Sequence, residues 1–193
     1  HFNADAHPGN YVWMKDGRVA FLDFGMTKKL DHEQIVLEQR AFDAASRDDP
    51  EDFRKALHDL GFVKNPSKLD AERLLEHMRA VGGWYIEDRE IEISAKRVMK
   101  IIESTNDPRS EYFDLMRREA MPADELMGRR MEIGVVAVLG QLKAKRNWHR
   151  IMREWIYADA PATPLGEEEW EYFEGRGVMQ MPIVERSLEG EQR

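Results

Sequence analysis

The chain has 193 residues, of which 42% are hydrophobic and 34% are charged, and its formal net charge is −8. It contains no cysteine, which excludes a disulfide framework and a thiolate zinc site. The acidic balance argues against nucleic acid as a main partner, because a phosphate backbone is bound by basic surface. The length suits a single domain with a sizeable core.

The first informative motif is A-D-A-H-P-G-N, which contains Asp5 and Asn10, and it is followed by D-F-G beginning at Asp23. Kinase catalytic loops have the form H-R-D-x-x-x-x-N, in which the Asp faces the acceptor hydroxyl. The Asn of that loop and the Asp of D-F-G hold Mg²⁺ on the phosphates. Asp5 is therefore the predicted catalytic carboxylate. Asn10 and Asp23 are the predicted ligands of Mg²⁺ and, through it, of ATP.

A hairpin is predicted between the two motifs, because the Asp16-Gly17 pair joins two short, apolar, β-prone runs. A hairpin reverses the chain, so it would bring Asp23 beside Asn10 and make the loop, the hairpin and the second acid one metal site. His7 lies between the ligand candidates. Hard Mg²⁺ rarely takes imidazole, so we expect His7 to order the loop by hydrogen bonding instead.

After D-F-G the apolar residues recur with helical spacing. A capping-box-like pair, Asp31 and Gln34, predicts a helix that ends near Ser46. Four more amphipathic helices are predicted. Those at residues 53–60 and 71–78 are expected to end at Gly61 and at Gly82-Gly83, respectively. Those at residues 95–102 and 148–155 are expected to be capped by Ser94 and Asn147, respectively. Residues 126–142 predict a more buried helix that is apolar on most sides.

Together these elements predict an α+β, predominantly α-helical fold with one small β-hairpin that carries the metal site. We divide the chain into three parts. Residues 1–30 hold the catalytic loop, the hairpin and D-F-G, and residues 31–158 form the helical remainder. Residues 159–193 are predicted to be a linker, a short acidic and aromatic helix or docking segment, and a frayed end.

The run A-D-x-H-P-G-N, followed by strand, turn, strand and L-D-F-G-M, resembles the UbiB/AarF family of atypical kinase-like proteins. Residues 127–155 are similar to the helical C-terminal part of its actinobacterial members. The resemblance implies a protein-kinase-like C-lobe that binds ATP and Mg²⁺ and has ATPase or kinase-like activity. In many members this activity is linked to isoprenoid quinone metabolism, such as ubiquinone biosynthesis, or to lipid metabolism at membranes.

The resemblance also implies a partner, the N-terminal lobe of the same protein, which would supply the nucleotide-covering loop, a phosphate-facing Lys and a K-x-G-Q helix. We therefore expect this chain to be a C-terminal fragment that is inactive alone. Two positions depart from the family pattern. Asn3 stands where a His is usual, and Ala6 stands where a Pro is usual. We interpret Asn3 as a variant that still hydrogen-bonds locally.

The acceptor is expected to be a small molecule, a lipid or water rather than a peptide. No A-P-E triplet follows D-F-G, and the next predicted helix begins six residues after Gly25, which leaves little room for a peptide-seating segment. The longest apolar run, residues 133–140, is far shorter than the roughly 20 residues of a transmembrane helix. We predict a cytoplasmic protein, with peripheral membrane contact open. Basic side chains that could touch anionic headgroups are Arg129, Arg130, Lys143, Lys145 and Arg146, although solvated helix surface is the favoured interpretation.

Two other function classes stay open. One is a small-molecule kinase of the aminoglycoside or choline phosphotransferase type, which shares an H-x-D-x-H-P-x-N-like loop but usually lacks D-F-G, so Phe24-Gly25 favours the first reading. The other is a non-catalytic pseudokinase scaffold. Asn3 is its one positive hint, and retention of all three site residues counts against it.

Overall fold

The computed structural model describes residues 1–117, 122 and 126–177. The described part is mostly helical, with short antiparallel strand pairs, as predicted. Its strands are β1 (Phe2–Asn3), β2 (Tyr11–Trp13), β3 (Val19–Phe21), β4 (Thr27–Lys28), β5 (Ile91–Glu92) and β6 (Lys145–Arg146). Its helices are α1 (His32–Ser46), α2 (Pro50–Asp59), α3 (Ala71–Ile86), α4 (Ala95–Asn106), α5 (Phe113–Met116), α6 (Leu126–Leu142), α7 (Trp148–Tyr157) and α8 (Pro164–Glu174).

The N-terminal 30 residues form two nested strand pairs. The predicted hairpin is present, with β2 antiparallel to β3 and Val12 opposite Ala20. Its turn contains Gly17 at φ 87°, a left-handed conformation that glycine adopts without a steric penalty. Outside it, β1 pairs with β4, with Asn3 opposite Thr27. The prediction of a single hairpin was therefore incomplete, because β1–β4 and the distant pair β5–β6 are also formed.

Capping residues predicted the starts of two helices correctly. The side chains of Ser94 and Asn147 accept hydrogen bonds from the backbone N–H groups of Arg97 and Arg150, as predicted for α4 and α7. The helix α1 occupies the predicted residues. The predicted capping box is wrong, however, because Asp31 makes no side-chain capping bond.

The main core lies between α1, α2 and α3. Phe53, Leu74 and Leu75 are almost fully buried there, joined by Val63 from the α2–α3 connection and Leu115 from α5. Burying one such large side chain stabilises the fold by about 1.5–3 kcal/mol. This cluster makes the first three helices one packed unit.

A second, smaller cluster joins β5, α3, α4, α6 and α7. Ile91, Ile93 and Val136 are its buried members, with Trp84 and Trp148 packed against them. The indole N–H of Trp148 donates to the Ile91 carbonyl over 2.9 Å, which ties α7 to β5. The cluster therefore holds α6 against the rest of the helical lobe.

Two helix predictions need correction. The helix α3 does not end before Gly82-Gly83 but runs through both to Ile86. A Cβ at Gly82 would lie 2.7 Å from the Met78 Cε atom and 2.8 Å from the Tyr85 hydroxyl oxygen, so these side chains would have to shift to accept a larger residue. The helix α6 is less buried than predicted, since only Val136 and Gly140 are fully buried in it.

The glycines of α6 mark its close approaches to other elements. A Cβ at Gly140 would lie 2.5 Å from the Val98 Cγ2 atom on α4. A Cβ at Gly134 would lie 3.0 Å from the carbonyl oxygen of Ala6. Because Ala6 follows Asp5, α6 runs directly against the predicted catalytic loop.

In the tail, α8 confirms the predicted short helix, and its Thr163 side chain accepts a bond from the backbone N–H of Gly166. The predicted frayed end, residues 178–193, lies outside the described residues. Within the described part of the chain, none of the helices is long and apolar enough to cross a bilayer.

Candidate phosphoryl-transfer site

The loop around Asp5 is held by its own backbone and by two buried alanines. Ala4 and Ala6 are both buried, so they anchor the chain on either side of Asp5, whose side chain keeps 25% of its surface exposed. The Asn10 backbone N–H donates to the His7 carbonyl over 2.9 Å. The backbone N–H of Gly9 donates to the His7 Nδ1 atom over 3.1 Å, which confirms the loop-ordering role predicted for His7. The Asp5 carboxylate is thus presented on a rigid turn.

Both oxygens of the Asp5 carboxylate accept hydrogen bonds. The Asn10 Nδ2 atom donates to Oδ2 over 2.9 Å, and the Arg130 Nη2 atom donates to Oδ1 over 2.7 Å. These two donors, Arg130 first, hold the pKa of Asp5 below its usual value, so the carboxylate is ionised at neutral pH. An ionised carboxylate is the state that can accept a hydrogen bond from a hydroxyl group.

Asn10 is oriented by its amide nitrogen. Its Nδ2 atom donates to the Asp5 carboxylate and also to the Asp5 carbonyl over 3.1 Å. Neither bond consumes the lone pairs of Asn10 Oδ1. An amide oxygen of this kind is a suitable ligand for a hard cation.

The strand β3 delivers Asp23 to this loop. The backbone N–H of Leu22, the residue before Asp23, donates to the Asn10 carbonyl over 2.8 Å. The structure therefore brings the Asp23 segment against the Asn10 segment through the hairpin, as predicted.

Asn3 links the same two segments from the other side. Its Nδ2 atom donates to the Asp23 carbonyl over 2.7 Å, and its Oδ1 atom accepts from the Asp5 backbone N–H over 2.9 Å. The interpretation of Asn3 as a residue that hydrogen-bonds locally is confirmed. One amide side chain thus fastens the backbone of Asp5 to that of Asp23.

The Asp23 backbone is left-handed, with φ 59°. Asp and Asn tolerate this conformation better than other residues with a Cβ, because their short polar side chains bond to nearby backbone. Here the Asp23 Oδ1 atom accepts from the Gly25 backbone N–H over 3.0 Å, and the Thr27 hydroxyl donates to the Phe24 carbonyl over 2.9 Å. The D-F-G segment is therefore a tight, internally bonded turn.

The donor set fits Mg²⁺ bound together with a nucleotide. Asn10 and Asp23 offer an amide and a carboxylate oxygen on adjoining segments, and Mg²⁺ is commonly held by one or two carboxylates with phosphate oxygens and water completing its shell. Across residues 1–117, 122 and 126–177, no group of three or more His, Cys, Asp or Glu side chains could hold a metal ion alone. A cation here would thus depend on phosphate oxygens for the rest of its ligands.

Sequence reasoning missed Arg130. Its side chain is 57% exposed, in line with the favoured interpretation as solvated helix surface, but its guanidinium also forms an ion pair with Asp5, which was not predicted. The nearby Gly134 lies within the predicted helix of residues 126–142, to which no contact with the loop was assigned. The spacing of four between Arg130 and Gly134 places both on one face of α6, but the sequence carries no signal for the element that this face meets.

The comparisons with known proteins agree with this geometry. Residues 1–57 match the ABC1 atypical kinase-like domain. The chain is also 41% identical over 68 residues to "Uncharacterized protein sll0005" of Synechocystis sp., a match that covers 31% of this chain and 10% of the relative. The matched part thus spans only about a tenth of that relative's length. The region similar to the ABC1 atypical kinase-like domain contains the predicted catalytic loop, the hairpin and the D-F-G segment, in line with the resemblance seen in the sequence.

Proposed function

We propose that these residues form the catalytic half of a Mg²⁺-dependent ATPase or phosphotransferase of the atypical kinase type. Asp5 would face the acceptor hydroxyl, and Asn10 and Asp23 would hold Mg²⁺ on the phosphates of ATP. The observation that carries the proposal is the set of hydrogen bonds by which Asn3 and Leu22 fasten the Asp23 segment to the Asp5–Asn10 loop.

The protein groups would act mainly by position and charge. Bound Mg²⁺ would neutralise the charge that develops on the transferring phosphoryl group, which is the chief requirement of this chemistry. The Asp5 carboxylate, fixed at both oxygens, would orient the acceptor hydroxyl, since each carboxylate oxygen keeps a further acceptor site. Orientation of this kind is a large part of catalysis when the reacting groups are held in line.

The short segment after D-F-G supports a small acceptor. Only residues 26–31 separate Gly25 from α1, and within them Thr27–Lys28 is already paired with β1. No length of this segment is left over to seat an extended peptide. We therefore propose a small molecule, a lipid or water as the acceptor. From the family resemblance we also propose a role in quinone or lipid metabolism, in the cytoplasm or at the membrane surface.

Exposed apolar side chains on the hairpin support a covering lobe. Trp13 is 77% exposed and Phe24 is 65% exposed, and several neighbours are exposed as well. The neighbours are Val12, Met14, Val19, Phe21 and Leu22. Trp13, Val19 and Phe21 lie on one face of the hairpin, and an exposed apolar face of this kind usually meets another protein surface. We propose that the N-terminal lobe of the same protein lies here, with ATP between the two lobes.

The scaffold alternative has one observation in its favour, because both oxygens of Asp5 already accept hydrogen bonds. The small-molecule kinase alternative is disfavoured by Phe24-Gly25 and by the family match over residues 1–57. A single substitution, Asp23→Asn, separates the enzyme from the scaffold.

Asp23→Asn should abolish Mg²⁺-dependent ATP turnover in the complete protein without unfolding it. Asn also tolerates a left-handed backbone, so the change removes the charge and little else. Loss of this neutralisation should cost several kcal/mol of transition-state stabilisation, or about a thousandfold in rate. The matched control is Asp16→Asn, which removes the same charge from the far turn of the same hairpin, where Asp16 pairs only with Arg18.

The measurements are the ATP hydrolysis rate, the melting temperature and Mg²⁺-dependent nucleotide binding. Asp5→Asn belongs in the same series, because a hydroxyl acceptor should suffer more from its loss than water. Wild-type turnover in the Asp23 variant would refute the site and favour the scaffold.

A further inference from the structure

The ion pair between Arg130 and Asp5 joins two parts of the chain that lie 125 residues apart. The Arg130 Nη2 atom lies 2.7 Å from the Asp5 Oδ1 atom, in the range of a charge-assisted hydrogen bond. Asn10 holds the other oxygen of the same carboxylate. The carboxylate plane is therefore fixed from two directions, by its own loop and by α6.

The position of α6 at this point is set by packing as well as by charge. One turn after Arg130, Gly134 lies so close to the loop that a Cβ there would be 3.0 Å from both the Cβ and the carbonyl oxygen of Ala6. Ala6 is itself buried. The helix backbone is thus seated on the residue next to Asp5, which places the base of the Arg130 side chain at the loop.

Its sequence neighbour Arg129 behaves differently. The Arg129 Nη1 atom donates to the Glu132 Oε2 atom over 3.2 Å, an ion pair within α6 itself. Arg130 instead pairs across to the loop. Two adjacent arginines of the same helix therefore serve two different contacts, and only one of them reaches the proposed site.

We propose that Arg130 is a positioning residue for the Asp5 carboxylate, through which α6 fixes the acceptor side of the site. The proposal rests on the proposed function, because it assigns a role relative to Asp5 in phosphoryl transfer. Arg130 acts on the acceptor hydroxyl only through Asp5, so its loss misplaces the carboxylate. The proposed metal ligands stay held, Asn10 by its bond to the Asp5 carbonyl and Asp23 by its own turn. The consequence is a defect in kcat without a matching defect in Mg-ATP binding.

The test is a double-mutant cycle in the complete protein with Arg130→Ala, Asp5→Asn and the double variant. Steady-state kinetics give kcat and KM, and single-turnover reactions give the rate of variants that are too slow for them. Arg130→Ala should lower kcat by about tenfold to a hundredfold, the range expected for a misplacement near 1 Å, with the KM for Mg-ATP changed less than about twofold. In the Asp5→Asn background, Arg130→Ala should change the rate less than about twofold, because the group through which Arg130 acts is already gone.

Two further variants separate charge from packing. Arg130→Lys keeps a cation that can reach one oxygen and should retain more activity than Arg130→Ala, since the present contact uses a single Nη atom. Gly134→Ala must push α6 away from Ala6 by a few tenths of an ångström. Gly134→Ala should therefore also lower kcat, by a smaller factor than Arg130→Ala. It tests the same contact if Arg130→Ala does not fold. The matched control is Arg129→Ala, which should leave kcat near that of the wild type.

The outcomes are distinguishable. If Arg130→Ala has the wild-type kcat, raises it, or adds its full loss to that of Asp5→Asn, Arg130 does not position Asp5 and the inference is overturned. If Asp5→Asn and Asp23→Asn both turn over ATP like the wild type, the proposed function itself has failed. A loss of kcat in Arg130→Ala that vanishes in the Asp5→Asn background supports the inference.

Discussion

Replacing Asn3 by Ala should loosen the proposed site by removing the side chain that ties its two segments together. The change deletes two hydrogen bonds, one of 2.7 Å to the Asp23 carbonyl and one of 2.9 Å from the Asp5 backbone N–H. A typical net contribution is about 0.5–1.5 kcal/mol for each bond. Because the first bond is exposed and the second is partly buried, we expect a loss of about 1–2 kcal/mol in the free energy of unfolding.

For a chain of this length, that loss corresponds to a fall of about 2–8 °C in melting temperature. The assay is urea unfolding together with thermal melting of the 193-residue chain, and amide hydrogen exchange at Asp5 reports the loop itself. Asn3→Asp keeps the acceptor for the Asp5 N–H and removes only the donor, so it isolates the bond to Asp23. It sets a carboxylate oxygen against the Asp23 carbonyl, so some loss of stability should remain.

The matched control is Asn65→Ala. Asn65 is exposed and makes no side-chain capping bond, so its loss should stay within about 0.5 kcal/mol. If Asn3→Ala unfolds at the wild-type urea concentration and the Asp5 amide exchanges no faster, the strand pair β1–β4 alone holds the segments. The bridging role of Asn3 would then be refuted.

Three further predictions concern the core, the pH dependence and the nucleotide. Phe53→Ala should lower the free energy of unfolding by about 3–5 kcal/mol, because Phe53 is 1% exposed in the main core; a loss below about 1 kcal/mol by urea unfolding would contradict that packing. Hydrogen bonds from Arg150, and then from Asn147, lower the pKa of Asp88. This contact therefore stabilises the fold at pH values above the ordinary Asp pKa, and the stabilisation is lost as the pH falls through the lowered pKa. The melting temperatures of wild type and Asp88→Asn should converge in acid, and a difference that stays constant from pH 7 to pH 3 would contradict the contact. The 193 residues alone should bind Mg-ATP more weakly than about 1 μM by calorimetry, because the phosphate-facing Lys of the proposed site is expected in the other lobe, and submicromolar binding would show that the site is misplaced.

Several features followed from the sequence because their causes are local. The helix starts at Ser94 and Asn147 were predictable, since a capping side chain bonds to a backbone N–H only three residues away. The hairpin at Gly17 was predictable because few residues other than glycine adopt a positive φ. The order of Asp5, Asn10 and Asp23 also predicted that their segments lie together, because the hairpin that reverses the chain lies between Asn10 and Asp23.

Two features failed as predictions because they rested on weak local preferences. Asp31 has the right residue type for a cap but makes no capping bond. Gly82 looked like a helix stop, yet α3 continues through it to Ile86, which is buried in the main core. Burial of such a side chain outweighs the roughly 1 kcal/mol that a glycine costs within a helix.

The sequence by itself determined the family-like catalytic motifs, the hairpin and most helix bounds, since each depends on residues within a few positions of one another. Only the tertiary structure decided that α6 lies against the predicted catalytic loop. Gly134 meets Ala6 and Arg130 meets Asp5 because the second hydrophobic cluster seats α6 against α3 and α4. A contact across 125 residues leaves no periodicity or spacing in the sequence, since it arises from the packing of whole helices.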